Sequence, residues 1–155
     1  MEEIKSIQNK ISDKQPSNLE AEQALLGSIL VNNDIIDEIS NIVNSSIFYD
    51  PAHVKIYEVI ETLNNKGMIA NPITLKNFFE KDNMLSEVGG TEYLVKLTRF
   101  SGSSKQAIDY AKIIHEMYLR RELFLISDKL SSETLNTNSG EQNAENIIES
   151  TEKSL

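Results

Sequence analysis

The sequence predicts an all-α protein, in which a compact head of about five helices is followed by a projecting antiparallel helical hairpin. Apolar residues recur at spacings of three and four along most of the chain, which is typical of amphipathic helices. Proline and glycine mostly stand between these periodic stretches, and no stretch predicts a strand. The run from Ser104 to about Asn136 has neither glycine nor proline, so it predicts one long helix of roughly 50 Å.

The first helix of the head is predicted to begin after Pro16, and it carries two acidic residues at its start. Ser17 and Glu20 have the spacing of a capping box, in which the serine side chain accepts from a free backbone N–H and the glutamate reaches back to the cap. Glu22 adds negative charge near the positive end of the helix dipole. Local effects therefore explain these carboxylates, while a binding role remains the alternative.

Gly27 lies inside the apolar run of the same helix, where glycine costs about 1 kcal/mol relative to alanine. The usual reason for a glycine at such a position is the close approach of another backbone. Gly27 therefore predicts a tight helix–helix crossing. The predicted buried stripe of this helix consists of Leu19, Leu25, Leu26, Ile29 and Leu30.

The other helices of the head are predicted from their start and stop signals. The segment NDIIDEISNIV gives a short second helix. The third helix is predicted to begin where a capping side chain is followed by proline, and a glycine is its predicted C-terminal cap. The signals in chain order are Asp50 with Pro51 and then Gly67 for the third helix, Pro72 or Thr74 for the fourth, and Gly89 with Gly90 for the fifth.

A further helix after the loop sequence NTNSG predicts the hairpin, because two amphipathic helices joined by a short loop favour an antiparallel pair. Its apolar stripe is Ala144, Ile148, Thr151 and Leu155. The stripe reaches the last residue without a stop signal, so the natural chain is expected to continue. The predicted organisation is a flexible N-terminal arm at residues 1–15, a globular head at 16–101 and a helical hairpin at 102–155.

The composition favours an acidic, cytoplasmic protein whose partners are proteins. The formal net charge is −9, with 9 Lys and Arg against 15 Asp and Glu in residues 1–100 and 6 against 9 in residues 101–155. Nucleic-acid affinity depends largely on basic side chains that neutralise phosphates, so the chain itself is a poor candidate for binding DNA or RNA. It has no cysteine, no apolar run long enough for a membrane span and no secretory signal.

The sequence shows no motif of catalytic, cofactor or metal chemistry. It has no phosphate-binding G-x-x-x-x-G-K-[ST] loop and no G-x-S-x-G nucleophile motif. His53 and His115 are the only histidines, and neither has a partner at metal-ligand spacing, which favours surface or helix-packing roles. Glu20 and Glu22, two residues apart, lie on different sides of a helix, so an enzyme that uses them as a pair is a weak alternative.

Four segments of the sequence resemble motifs of one protein family, and they occur in the same order as in that family. They are PSNLEAEQALLG at residues 16–27, FYDPAHVKIY at 48–57, VGGTEYLVKL at 88–97 and YAKIIHEMYLRREL at 110–123. Together they resemble the motifs of the N-terminal domain of DnaB-type bacterial replicative DNA helicases. The resemblance extends from Pro16 to Leu155, where the start of a linker helix is expected, and the first 15 residues carry none.

The resemblance implies a collar domain of a hexameric helicase ring. In that family the hairpins pair between subunits, and the collar docks primase and, in some systems, a helicase loader. The parent protein would be an ATP-dependent 5′–3′ DNA helicase. ATP, Mg²⁺ and most DNA contact would belong to a following ATPase domain, with no cofactor and no membrane association in this one.

The resemblance also implies roles for particular residues. The positions that match the family's primase contacts are Glu20, Tyr93, Phe124 and Leu130. Each has a structural alternative, which is a cap for the first and core packing for the others. The apolar stripes of the hairpin exceed what one hairpin can cover, so a second hairpin is expected to cover the rest. The candidates for this self-association are Ile114, Tyr118 and Ile148.

Two other functions fit the same fold. A helicase-binding domain of a primase would have a similar all-α head and hairpin, and a stand-alone all-α adaptor would have a similar composition. The EAEQ and VGGTEYL segments favour the helicase. A small helix-turn-helix DNA-binding regulator is disfavoured by the acidic charge.

Overall fold

The computed structural model describes residues 15–138 and 142–155, and these residues form seven α-helices, two short 3-10 turns and no strand. The predicted all-α class is therefore confirmed, whereas residues 1–14 of the predicted arm lie outside the described residues. The helices are α1 (Leu19–Val31), α2 (Ile35–Ile39), α3 (Pro51–Asn65), α4 (Pro72–Lys81), α5 (Gly90–Thr98), α6 (Ser104–Leu135) and α7 (Ala144–Ser154), and the 3-10 turns are Ser45–Ile47 and Leu85–Val88.

The chain divides into two compact units. The first, Ser17–Tyr118, holds α1 to α5 and the first part of α6, and we call it the head unit. The second contains Pro16 and Leu119–Leu155, with the rest of α6 and α7, and we call it the hairpin unit. The predicted division of the chain between residues 101 and 102 stays a prediction.

The sequence signals that start and stop α3 are confirmed. The Asp50 side chain caps the helix, and Pro51 is its first residue. The helix ends at Asn65 with Lys66 as its C-cap, and Gly67 follows with a left-handed φ of +71°. Beyond it, the Met68 N–H donates to the Leu63 carbonyl at 2.9 Å. The fourth and fifth helices likewise begin at a predicted proline and a predicted glycine. These signals act within a single turn, which is why the sequence alone reveals them.

The predicted capping box of Ser17 and Glu20 is wrong. The N-cap of α1 is Asn18, whose side-chain oxygen accepts from the Ala21 N–H at 2.9 Å. Asparagine and serine are about equally good caps, so the two adjacent residues compete for the position. Leu19 is then the first residue of the helix. Helical side chains tilt toward the N-terminus, so its side chain extends past the end of α1, and Leu19 is 43% exposed. Leu19 therefore leaves the predicted stripe, whose other members are buried.

Gly27 lies where α1 crosses the end of α5, and the predicted tight crossing is confirmed. A Cβ atom on Gly27 would lie 2.8 Å from the carbonyl carbon of Leu97 and would overlap its oxygen. The adjacent Ser28 is buried, and its hydroxyl donates to the Ala24 carbonyl at 2.6 Å and accepts from the Gly102 N–H at 2.9 Å. Backbone thus contacts backbone at the crossing, and one hydroxyl joins α1 to the segment before α6.

We expect Ser28→Ala to lower the free energy of unfolding by about 1–2 kcal/mol, because the Gly102 N–H loses its acceptor. Urea denaturation followed by circular dichroism measures the change. Ser40→Ala is the control, since the Ser40 hydroxyl is exposed and bonds only to residues up to three positions away. Equal effects of the two substitutions would contradict a structural role for Ser28.

In the hairpin unit, α7 packs on the second part of α6 with a different face from the predicted one. Ile147 is 7% exposed, whereas Ile148 is 58% and Leu155 is 78% exposed. Ala144, Ile148 and Leu155 of the predicted stripe are therefore exposed, and Ile147 beside the stripe is the buried residue. The residues around a space of about 20 Å³ between the two helices are Ile126, Lys129, Leu130, Glu133, Ser150, Thr151 and Ser154. Small hydroxyl side chains on α7 let the helices approach closely, while Ile148 and Leu155 are turned outward.

Candidate partner-docking site

Four polar side chains from α1, α3 and α5 form one hydrogen-bonded chain in the head unit. Glu22 Oε1 lies 2.8 Å from His53 Nδ1, and His53 Nε2 lies 2.6 Å from the Tyr93 hydroxyl. Gln23 Nε2 lies 3.3 Å from the same hydroxyl. We call Glu22, Gln23, His53 and Tyr93 the polar network. Its members come from three of the four sequence segments that carry the family resemblance, so motifs that are distant in the chain meet at one place.

Glu22 is the acceptor at the buried end of the polar network. The side chains of Glu22 and His53 are each 1% exposed. The Glu22 carboxylate also accepts from the backbone N–H groups of Tyr49 at 2.9 Å and Asp50 at 3.3 Å. A buried carboxylate is stable only with such donors, because burial removes its contact with water. Glu22 therefore fixes the segment that precedes α3 against α1.

The partners determine which atom carries each proton in the polar network. An ionised carboxylate only accepts, so His53 Nδ1 carries a proton and donates it to Glu22. In a neutral imidazole Nε2 is then the acceptor, and it receives the Tyr93 O–H. The Tyr93 oxygen in turn accepts from Gln23 Nε2. The rings of His53 and Tyr93 stack, with centroids 6.0 Å apart and an interplanar angle of 7°.

The Tyr93 phenol keeps its proton in this environment. Burial raises the pKa of Tyr93, the hydrogen bond from Gln23 lowers it, and the negative charges of Asp50 and Glu22 raise it further. The pKa of Tyr93 lies above the ordinary tyrosine value as a result. At neutral pH the hydroxyl is therefore available as the donor to His53.

A groove of about 530 Å³ opens beside the polar network, between α1, the segment after α5 and the first part of α6. We call it the α1 groove, and the residues that line it are Asn18, Glu20, Ala21, Gln23, Ala24, Phe100, Tyr110 and Ile113. Glu20 is the only charged side chain among them. Phe100 is 41% and Ile113 is 38% exposed. The α1 groove combines an apolar floor with an acidic edge, which suits a partner with an apolar anchor and a positive charge.

The structure brings together two of the four predicted partner-contact residues. Glu20 lines the α1 groove, and Tyr93 bonds to Gln23, which lines it as well. Phe124 and Leu130 are half-buried in the hairpin unit. The binding roles of all four stay predictions.

The three predicted self-association residues lie in different environments. Ile114 is 1% exposed and belongs to the core of the head unit, and Tyr118 is partly buried against that core. Ile148 is 58% exposed on α7. Of the three, Ile148 is the one that presents most of its side chain at the surface, while self-association itself stays a prediction.

The sequence patterns do not reveal the polar network. They predict a helix-dipole role for Glu22 and a surface or packing role for His53, and they predict no role for Gln23. Glu22 precedes the buried Leu25 and Leu26 by three and four residues, so helical periodicity places it on the buried stripe. A carboxylate on a buried stripe requires donors from elsewhere in the fold. The periodicity is the signal that could have identified His53 as a donor to Glu22, because the chain has only two histidines.

In the described ranges, no group of three or more histidine or acidic residues could hold a metal ion. Among the helices of those ranges, none is long and apolar enough to cross a membrane. The expectation that this domain binds no cofactor stays a prediction.

Comparison with known proteins shows extensive similarity. The family model described as DnaB-like helicase N terminal domain matches residues 14–116. The replicative DNA helicase DnaB of Rickettsia bellii is 41% identical over 140 residues, which are 90% of this chain and 28% of that protein. That of Rickettsia felis is 40% identical over 122 residues, which are 79% of this chain and 25% of that protein. This chain therefore spans about a quarter of the length of the two helicases.

A solved structure shows the same fold. The crystal structure of the N-terminal domain of DnaB helicase from Mycobacterium tuberculosis matches with a TM-score of 0.79 and 27% sequence identity. The match covers 91% of this chain and 97% of that one.

Proposed function

Since this chain belongs to the family of DnaB-like helicase N-terminal domains, we propose that it is the oligomerisation and partner-docking domain of a replicative DNA helicase. In this role it forms the collar of a hexameric ring and recruits primase during DNA replication. ATP-dependent 5′–3′ unwinding, with its ATP, Mg²⁺ and DNA contacts, belongs to an ATPase domain of the parent chain. The net charge of −9 supports this division, because an acidic domain is unsuited to phosphate contacts.

The observation that carries the proposal is the apolar surface of the hairpin unit. Its exposed large apolar side chains are Leu119, Leu123, Leu125, Leu135, Ile148 and Leu155, with exposed fractions from 43% to 82%. Among the described residues of this unit, only Arg121 and Ile147 are buried. Apolar surface of this extent on a small unit is typical of a protein interface, and a second hairpin unit supplies a matching surface.

The α1 groove is the proposed docking site for primase on the head unit. Glu20 lies at its edge, and Tyr93 lies behind Gln23. Phe124 and Leu130 are the proposed contacts on the hairpin unit. A helicase loader is a further proposed partner of the same collar.

The alternatives differ from this proposal in testable ways. The relatives described above are named as helicases, which disfavours the helicase-binding domain of a primase. A stand-alone adaptor would be a much shorter chain than a helicase. The matched helicase of R. bellii has about 500 residues, because 140 residues are 28% of its length.

The mass of the endogenous protein decides between a helicase and an adaptor. An immunoblot with an antibody against this domain should show a band at roughly three times the 17.5 kDa of this chain. A band at 17.5 kDa would contradict the helicase proposal and leave the adaptor.

We expect Ile148→Gln to raise the dissociation constant of the self-associated chain about tenfold, because an exposed apolar side chain of the proposed interface becomes polar. Sedimentation velocity over a concentration series measures the constant. Ser132→Gln, at an exposed polar position of α6, is the matched control. An unchanged dissociation constant for Ile148→Gln would show that Ile148 lies outside the interface. A parent chain that is monomeric at every concentration would contradict self-association through the apolar surface of the hairpin unit.

We expect Glu20→Arg to weaken primase binding about tenfold, because it reverses the only charge among the described residues of the α1 groove. Biolayer interferometry with immobilised primase measures the affinity. Glu38→Arg makes the same charge change at an exposed position of α2, outside the groove. Equal losses of primase affinity for the two variants would show that the effect comes from net charge, which would contradict docking at the groove.

A further inference from the structure

We propose that the side-chain carbonyl oxygen of Gln23 selects what enters the α1 groove, and that the preferred occupant is an arginine or lysine side chain of a partner protein. The inference rests on the proposed docking role and names the chemistry that docking requires. It assigns Gln23 as a specificity-determining residue, and Glu22, His53 and Tyr93 as the residues that position it.

The polar network fixes the orientation of the Gln23 amide. When the His53 ring is neutral and its Nδ1 proton lies toward Glu22, Nε2 accepts the Tyr93 hydroxyl proton across 2.6 Å, and the Tyr93 oxygen then accepts from Gln23. The group of Gln23 that faces Tyr93 is therefore the NH₂, at 3.3 Å. The opposite orientation would set two acceptors against each other. The carbonyl oxygen of Gln23 is thus turned away from Tyr93.

The carbonyl oxygen of Gln23 is available to a ligand. No hydrogen bond among the described residues ends on this oxygen, and Gln23 lines the α1 groove. The Glu20 carboxylate is a second acceptor of the groove, whereas the Asn18 side-chain oxygen already accepts from the Ala21 N–H. Two available acceptor groups, one of them charged, favour a ligand with several N–H donors and a positive charge.

The apolar floor of the α1 groove fits the stem of such a ligand. Ala21 and Ala24 leave space beside α1, and Phe100 and Ile113 offer exposed apolar surface. Arginine and lysine bury their methylene stems along apolar surface while the charged head meets polar groups. The net charge of −9 also attracts a basic partner at long range.

Two small probes of opposite charge test the selectivity. Phenethylguanidinium has an apolar ring and a cationic donor, and 3-phenylpropionate has a similar ring and an anionic acceptor. Each is titrated at pH 8 into the ¹⁵N-labelled 155-residue chain, and NMR follows the Gln23 side-chain amide and the Ala24 backbone amide. We expect saturable shifts of both signals with phenethylguanidinium and none with 3-phenylpropionate. Saturable binding of the carboxylate in the groove, or binding of neither probe, would overturn the proposal.

Two substitutions test the acceptor and its positioning. Gln23→Met keeps the side-chain length and removes the acceptor, so we expect phenethylguanidinium to bind about fivefold more weakly. Gln142→Met, at an exposed position before α7, is the matched control and should bind as the parent chain does. Tyr93→Phe keeps the ring and removes the hydroxyl, so it should shift the Gln23 side-chain signals and weaken binding. Unchanged binding in Gln23→Met, or unchanged Gln23 signals in Tyr93→Phe, would refute the assignment.

Primase binding separates this inference from the docking role on which it rests. If phenethylguanidinium binds the α1 groove but primase does not bind the chain, the docking role fails and the selectivity of the groove stands. If primase binds equally well to the parent chain and to Gln23→Met, the docking role stands and the inference about Gln23 fails.

Discussion

Gly27→Ala is expected to lower the free energy of unfolding by about 1–3 kcal/mol, even though alanine has the higher helix propensity. The added Cβ would overlap the Leu97 carbonyl oxygen and lie 2.8 Å from its carbon, and backbone cannot move aside as a flexible side chain can. The helices α1 and α5 would have to separate, which also stretches the hydrogen bond between Ser28 and Gly102. Gly27→Val should cost more, because its branched side chain needs a wider separation.

Urea denaturation at a fixed protein concentration, followed by far-UV circular dichroism, measures the effect of the glycine substitutions. Glu20→Ala is the control, because it changes an exposed side chain of the same helix. Its stability should lie within about 0.5 kcal/mol of the parent chain. A Gly27→Ala variant as stable as the parent chain would show that α1 and α5 separate without loss, which would contradict the importance of the crossing.

Glu22→Gln is expected to lower the free energy of unfolding by about 1–3 kcal/mol, because a buried donor loses its acceptor. The carboxylate accepts from the Tyr49 N–H, the Asp50 N–H and His53 Nδ1, and an amide offers one oxygen and two donors in its place. At least one buried donor then faces another donor. Because small domains are stable by only about 5–15 kcal/mol, a loss of this size removes a large part of the total.

Glu20→Gln is the matched control for Glu22→Gln. Both substitutions remove one negative charge from the first turn of α1, but the Glu20 side chain is exposed and the Glu22 side chain is 1% exposed. Urea denaturation at pH 7 should place Glu20→Gln within about 0.5 kcal/mol of the parent chain. Similar losses for the two variants would mean that helix-dipole charge, and not the polar network, explains the effect of Glu22.

The helix boundaries were predictable where one local signal had no competitor. The cap at Asp50 with Pro51 and the glycine at Gly67 stand alone in their segments, and both were predicted correctly. The long helix α6 ends at Leu135, one residue before the predicted end. At the start of α1, Ser17 and Asn18 are adjacent and almost equivalent as caps, and the cap predicted at Ser17 is wrong.

The buried face of a helix was less predictable than its ends. On α7, the predicted stripe through Ile148 and Leu155 is exposed, and Ile147 is the buried residue. This helix of 11 residues has few apolar side chains, and its two isoleucines are adjacent, so Ile147 and Ile148 lie on different sides of it. Packing against α6 chooses between them, because Ser150 and Ser154 allow a closer approach than larger apolar side chains would.

The sequence by itself determined the all-α class, the order of the helices and the close approach at Gly27. Helix propensity, capping and apolar periodicity act over a few residues, so they can be read without the fold. Only the tertiary structure decided that Glu22, His53 and Tyr93 form one network and that Gln23 turns its oxygen away from it. Their hydrogen bonds join residues 31 and 40 positions apart, and such partners meet only when the helices pack.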